Sequence, residues 1–288
     1  MRILFTTSPG LGHFFPIVPL AWAVRATGHE VLIASTNRAV EASGRAGLPA
    51  VDVVPGIDIT DVFCSRRERL GASSAMFRDP FSTATWATAA ALFAEISDKM
   101  ADGIVQVAGS WRPHLVVHTP LEAAGPLAAA LLSVPAVRHE FGLRPVGGVT
   151  GLMDLLYQAM RPTYQRHGLA GEPAQPAAVV DPCPPSMREP DRPTAWAVRY
   201  VLYNGGGALP DWLMEPPTRP RICVTLGSVV PLMAGVSGLS GVIAAVGQLD
   251  AEVVLALGDT NLSTLGRLPN NVRTAGWVPL SASAPPAT

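Results

Sequence analysis

The chain opens on a short apolar run, Ile3-Leu4-Phe5, which breaks at Ser8-Pro9-Gly10. Such a run is too short for a helix and fits a buried parallel strand. Pro16 to Thr27 then reads as a helix. Pro16 and Pro19 sit early in it, where a missing N–H leaves no bond unmade. Gly28 follows at the expected C-cap. Val31 to Ala34 is the next strand. Strand, turn, helix, strand in this order predicts a Rossmann-like α/β domain with a parallel sheet.

The pattern continues with variations. Ala50 to Val54 reads as a third strand, and Ile57 to Pro80 as a long excursion without period. Loops of that length in compact domains tend to be functional. Ser82 to Val107 is a long helix with Ser82 as candidate N-cap. Leu115-Val116-Val117 is a strand, Glu122 to Leu132 a helix, Ala136-Val137-Arg138 a strand, and Leu152 to Gln165 a helix. Residues 172–193 are dense in proline and read as extended surface chain. Asn204 to Pro220, with Gly205-Gly206-Gly207 and Pro216-Pro217, reads as a linker between domains 1–203 and 221–288. After it the α/β pattern restarts. Arg221 to Leu226 is a strand, Gly227-Ser228 a turn, Gly238 to Leu249 a helix, and Glu252 to Leu257 and Val272 to Ala275 are strands. Ser281 to Thr288 has no periodicity.

Composition narrows the function classes. Of 288 residues, 48% are apolar, so a sizeable core can be buried. Charged residues are 15% and the formal net charge is −1, which argues against a protein that tracks nucleic-acid phosphates. Cys64, Cys183 and Cys223 are odd in number and far apart, which suits a reducing, cytoplasmic setting better than a disulfide framework. No targeting segment is visible, and no apolar window reaches the roughly 20 residues of a membrane span.

The first candidate chemistry is Gly10-Leu11-Gly12-His13, between a strand and a helix. A helix start offers free N–H groups. A dinucleotide fingerprint would need a small residue where Phe15 stands and an acid where Ser35-Thr36-Asn37 stands, so a nicotinamide enzyme is disfavoured. His13 itself can take a proton from a hydroxyl nucleophile, or merely hydrogen-bond within the turn; position alone leaves both open. His118-Thr119-Pro120-Leu121-Glu122 follows another strand at the same sheet edge and could orient His13, Glu122 by its chemistry and His118 or Thr119 by its place. Glu122 is explained somewhat better as an acid in a helix's first turn, favoured by the dipole. His29-Glu30 and His139-Glu140 do not continue as H-E-x-x-H, so no metal is implied, and no serine sits in G-x-S-x-G. Gly227-Ser228 could offer N–H groups and a hydroxyl to a phosphate.

Taken together, these segments resemble the natural-product (antibiotic-type) glycosyltransferases of the GT-B fold, in the large family that includes the UDP-glycosyltransferases. The likeness runs from Met1-Arg2-Ile3-Leu4-Phe5-Thr6-Thr7 into Gly10-Leu11-Gly12-His13 and Pro16 to Leu20. It continues through Gly28-His29-Glu30-Val31, Pro120 to Pro126, Val134 to His139, and Tyr203-Asn204-Gly205 with Leu209 to Leu213. It closes on Arg219 to Ser228 and Val272 to Leu280. The order and spacing of these stretches carry it more than any one of them.

The resemblance implies two Rossmann-like domains with parallel sheets, the first binding an acceptor and the second a nucleotide sugar. It implies that His13 acts as base on an acceptor hydroxyl, and that a sugar moves with inversion from a dTDP- or UDP-sugar to an aglycone, with no cofactor and no required metal. Gly12 would lie at the ligand edge, Gly227-Ser228 would face the donor phosphates, and Trp277-Val278 would lie against the donor base. Ile57 to Pro80 and Phe141 to Met160 would line the acceptor pocket. Two departures stand out. No aspartate occupies the position of His118 or Thr119, where the family's base often finds its partner. The chain also stops just after Leu280, so the second domain is expected to be incomplete and its donor site only partly present. A non-catalytic module that binds an aglycone or pairs with an intact glycosyltransferase is therefore the alternative, and a homodimer or protein partner stays open.

Overall fold

A computed structural model describes residues 1–58, 62, 83–142, 151–187, 195–231, 235–258 and 260–280. The chain divides into two compact units, Met1–Val201 and Leu202–Thr288.

In the first unit, strand β1 (Arg2–Thr6) runs through a turn into helix α1 (Leu11–Phe14), a 3-10 turn (Phe15–Ile17) and helix α2 (Val18–Ala26). The helical path thus begins five residues before Pro16, and both prolines fall where the coil changes its winding. Gly28 ends α2 at φ +86°, with its N–H on the Arg25 carbonyl at 3.0 Å and the His29 N–H on Val24 at 3.3 Å. That pair of bonds closes the helix and needs a left-handed residue. Then come β2 (Glu30–Ser35), α3 (Asn37–Arg45), β3 (Ala50–Asp52), α4 (Thr83–Trp111), β4 (Leu115–His118), α5 (Ala124–Leu132), β5 (Ala136–His139), α6 (Leu152–Arg166), β6 (Ala178–Asp181) and β7 (Ala195–Ala197). All seven strands form one parallel sheet in the order β3-β2-β1-β4-β5-β6-β7. Phe5 stands in register with Ile33 on one side and Val117 on the other.

Helix α3 and strands β6 and β7 were not expected. Helix α3 buries only Ala39, Ala42 and Ser43, so its inner face carries no large apolar residue to mark a period. The proline-dense stretch 172–193 is not surface chain throughout: Ala178, Val179 and Val180 pair with Val137, Arg138 and His139, and Ala178 and Val180 are buried. The prolines at 176 and 182 lie just outside the paired residues, where no ladder N–H is lost. Ser82, most of Ile57 to Pro80, residues 143–150 and Ser281 to Thr288 lie outside the described residues.

The core gathers Leu4, Ile96, Met100, Ile104, Val116, Leu127, Leu156 and Tyr164, as α4 packs against α5 and α6. Gly103 lets α4 touch the end of β3: a Cβ there would stand 2.0 Å from the Val53 carbonyl oxygen.

The second unit holds helix α7 (Asp211–Met214), β8 (Arg221–Val224), a 3-10 turn leading into α8 (Ser240–Val246), β9 (Glu252–Leu255) and β10 (Val272–Thr274). The strands form a parallel sheet in the order β10-β9-β8. Residues 204–220, whose glycines and prolines suggest a linker, include α7. Its Leu213 is buried with Val254, Ala256 and Val278. A second cluster around Ile243, Val253, Leu255 and Val272 covers the sheet.

Candidate functional site

Strand β1 lies between β2 and β4, and the chain leaves it in one direction before crossing back to the other side. Such a reversal opens a crevice outside the carboxyl ends of the two central strands. Residues 7–13 leave the end of β1 and residues 119–123 leave the end of β4, so both sequence candidates fall at this crevice.

His13 lies in α1, with its N–H on the Gly10 carbonyl at 2.9 Å. Its half-buried ring lies between Phe93 of α4, at 5.0 Å and 42°, and Phe141, at 4.6 Å and edge-on at 74°. Gly10 makes room, since a Cβ there would stand 3.2 Å from the ring's Cδ2. Burial pushes the imidazole down to about 4, and the Pro120 carbonyl beside it acts the other way. His13 Nδ1 is buried and closes no hydrogen bond among the described residues. Gly12 is exposed, and a Cβ on it would meet nothing within 4 Å.

Glu122 is fully buried. Thr6 Oγ1 donates to its Oε2 at 2.5 Å, the Ala124 N–H to Oε1 at 2.7 Å, and the Gly125 N–H to both oxygens at 3.1 Å. Burial raises its pKa, and these three donors pull it back. Glu122 therefore caps α5 and ties it to β1. His118, also buried, sets Nδ1 3.2 Å from the Thr119 carbonyl. Burial first, and then the Arg138 guanidinium, pushes its ring down to about 3, against the Thr119 and Glu122 carbonyls. Neither Glu122 nor His118 is hydrogen-bonded to His13, so neither orients the ring directly.

Besides Thr119, the crevice contains residues that the sequence did not single out. Ser8 Oγ donates to the Leu121 carbonyl at 3.0 Å, Thr119 Oγ1 to Thr7 Oγ1 at 3.3 Å, and the Thr119 N–H to Thr6 at 3.2 Å. Leu121 takes φ +62°, a conformation that bulky side chains rarely adopt. Phe93 carries no local signal, because an aromatic on a long amphipathic helix reads as core.

At the carboxyl edge of the second sheet, three turns use left-handed glycines, Gly227 at φ +67° and Gly258 and Gly276 each at +62°. Gly227 is exposed, but its N–H already bonds Thr225 Oγ1 at 3.2 Å. Ser228 is half-buried beside it. Trp277 is 39% exposed and lies over Gly258, where a Cβ would meet its Cε3 at 3.5 Å. The side chain of Val278 belongs to the core beside Leu213 and Val254. Only its backbone is left to meet a ligand. Among the described residues no cluster of three or more His, Cys, Asp or Glu could hold a metal ion, and no helix is long and apolar enough to cross a membrane.

Comparison with known proteins fits this geometry. The model of the erythromycin biosynthesis protein CIII-like N-terminal domain matches residues 22–227, and that of the corresponding C-terminal domain matches residues 240–288. The chain is 36% identical over 294 residues to the L-demethylnoviosyl transferase of Streptomyces niveus, covering 100% of this chain and 73% of that protein. It is similar to the glycosyltransferase SnogD of Streptomyces nogalater, at 42% identity and a TM-score of 0.75, over 98% of this chain and 73% of that one. It is also similar to the spinosyn rhamnosyltransferase SpnG complexed with spinosyn aglycone, at 31% identity and a TM-score of 0.76, over 98% and 72%. SpnG has also been solved with thymidine diphosphate. Two parallel α/β units, a histidine at the first unit's switch point and these matches agree: the chain belongs to the erythromycin CIII-like, GT-B glycosyltransferases of antibiotic biosynthesis.

Proposed function

We propose that the chain transfers a hexose of the deoxyhexose class from a dTDP- or UDP-sugar to a hydroxyl of a natural-product aglycone, with inversion, and that His13 is the general base. The observation that carries this is an imidazole at the switch point, kept neutral by burial and packed against two phenyl rings. The acceptor oxygen attacks the anomeric carbon, the bond from that carbon to the diphosphate breaks, and the hydroxyl proton passes to His13. Burial keeps the ring neutral at pH 7, so it is ready to accept. A ring of lowered pKa is a weak base, yet the hydroxyl becomes a strong acid as its oxygen bonds to the sugar. A late proton transfer therefore suits it. Phe93 and Phe141 exclude water and favour an apolar acceptor. Gly227, Ser228 and Trp277 form the edge that would receive the nucleotide sugar. The reaction calls for no resident cofactor or metal.

Replacing His13 by Ala is expected to lower kcat by roughly 10²- to 10⁴-fold while the melting temperature and the affinity for nucleotide sugar hold. Wild-type turnover in that variant would remove His13 as the base. A purified chain that binds aglycone and ignores nucleotide sugar would instead be a binding module, and transfer itself would be refuted.

A further inference from the structure

The interior strand β5 carries a charge pair that the core does not call for. Arg138 is paired on both sides, in register with His118 of β4 and Val179 of β6. Two residues on, and so on the same face, Glu140 accepts from Arg138 Nε at 3.0 Å. The two side chains are only 13% and 5% exposed. Burying such a pair costs desolvation that its attraction repays only in a good geometry, and an apolar pair of similar volume is often as stable or more so. Stability is therefore a poor account of why the charges are there.

What the pair holds is the exit of the strand. The Glu140 N–H bonds the Val180 carbonyl at 2.9 Å, which extends the ladder one residue past His139. The Glu140 carbonyl lies 2.8 Å from Nδ1 of buried His139, and since a carbonyl can only accept, that Nδ1 carries the proton. Residue 140 is thus fixed through its side chain, its N–H and its carbonyl. The next residue is Phe141, whose ring stands edge-on to His13 at 4.6 Å and 74°. Phe141 belongs to no helix or strand, so the anchoring of residue 140 governs where its ring goes.

We infer that Arg138 and Glu140 are positioning residues, and that their ion pair locks the end of β5 and so sets Phe141 against His13. A charge pair suits this task because it favours one geometry sharply, whereas apolar side chains pack nearly as well in several. Phe141 bounds the imidazole on one side, so a shift at residue 140 loosens that ring and admits water beside it. The role of His13 as base is the reading on which the kinetic consequence rests.

The test uses the whole chain labelled with 13C-histidine, His13 being assigned by the signals lost in His13→Asn. A phenyl ring shifts the proton signals of an imidazole beside it, and Phe141→Leu marks where the His13 signals fall without that ring. The test variant combines Arg138→Met with Glu140→Met, which removes both charges together and strands neither. It is expected to melt within a few degrees of the wild type, while its His13 ring-proton signals move at least halfway to the Phe141→Leu positions. Turnover should fall about tenfold, with KM for nucleotide sugar within about twofold. His13 signals at their wild-type positions in the double variant would overturn the inference. So would a double variant that fails to fold, because the pair would then serve the fold rather than the ring. Coincident signals in Phe141→Leu and the wild type would overturn it too, since the ring would then not stand beside His13. The NMR readout needs no turnover, so failure of the base assignment and failure of this inference are separable.

Discussion

The two sheet edges place their loops by different means. At the first, buried side chains hold the backbone: Thr6, Ser8 and Glu122 lace the turn after β1 to the turn after β4. At the second, the backbone holds itself, through glycines at positive φ after β8, β9 and β10. The first edge is therefore intolerant of added volume, and the second of added conformational restriction. A single methyl group separates the two cases, and so does acid.

The largest effect is expected from Gly125→Ala. A Cβ at 125 would stand 2.1 Å from Thr6 Oγ1 and 2.7 Å from Glu122 Oε2. Neither atom is the free end of a flexible side chain, since each is bonded to the other. The methyl must therefore break the Thr6–Glu122 bond and shift α5 away from β1. Overpacking and a buried carboxylate stripped of a donor together should cost about 3 kcal/mol or more. Urea unfolding of the variant reads this directly, and an unchanged midpoint would show that the first edge is not held by packing.

Acid comes next, and it should act on the first unit. All six histidines precede residue 168. Burial lowers His13 to about 4 and His118 to about 3, and lowers His139 as well. Unfolded, each titrates near 6.5, so below that pH the unfolded chain takes up protons that the folded chain refuses. Stability is thus whole above pH 6.5 and falls as pH drops toward the folded values, by about 3 kcal/mol at pH 4 for His118 and somewhat less for half-buried His13. Glu122 opposes the trend, because its raised pKa favours protonation in the folded state. Unfolding measured at pH 7, 6 and 5 should show the loss, and His13→Asn should flatten the slope. A first unit as stable at pH 5 as at pH 7 would contradict the buried, neutral histidines.

The same contrast separates what could be read from sequence from what could not. Strands β1, β2 and β4 are built on apolar runs bounded by turn residues, and they announce themselves. Strand β6 was hidden because its four residues stand among prolines, and helix α3 because its buried face is made of alanine and serine. His13 was legible from its place after the first strand. Its neighbours were not: Phe93 lies 80 residues away on a helix, and the Ser8–Leu121 bond joins two loops that only the sheet brings together. Glu122 had the right chemistry for orienting a base, but a glutamate just ahead of a helix finds that helix's free N–H donors nearer than any imidazole. Val278 shows the limit on the other edge, since adjacency to Trp277 says nothing of which side chain faces the core.

A smaller effect is expected from Gly227→Ala. Nothing lies within 4 Å of a Cβ there, so no clash arises, and the cost is that of forcing alanine to φ +67°. About 1 kcal/mol is expected, felt in the second unit. The methyl would also stand at the edge assigned to the donor. Titration with the nucleoside diphosphate should then show weaker binding, whereas aglycone binding should be unmoved.

Gly12→Ala should give the smallest change in stability, and of the opposite sign. Gly12 lies in helix α1 without a positive φ, and a Cβ on it meets open space. Alanine loses less entropy on entering a helix, so the variant should be as stable as the wild type or better by up to about 1 kcal/mol. Nothing in the fold requires a glycine at this position, although the residue beside it is His13. If Gly12 is present because a ligand comes against the backbone next to the base, the methyl will obstruct that ligand while the protein melts no earlier. Turnover should then fall in a variant of undiminished stability, with KM for the aglycone raised more than KM for the nucleotide sugar. Wild-type kinetics in Gly12→Ala would confine the glycine requirement at the first edge to Gly10 and Gly125, where side chains close in. The contrast with the second edge, where backbone conformation sets the demand, would then be complete.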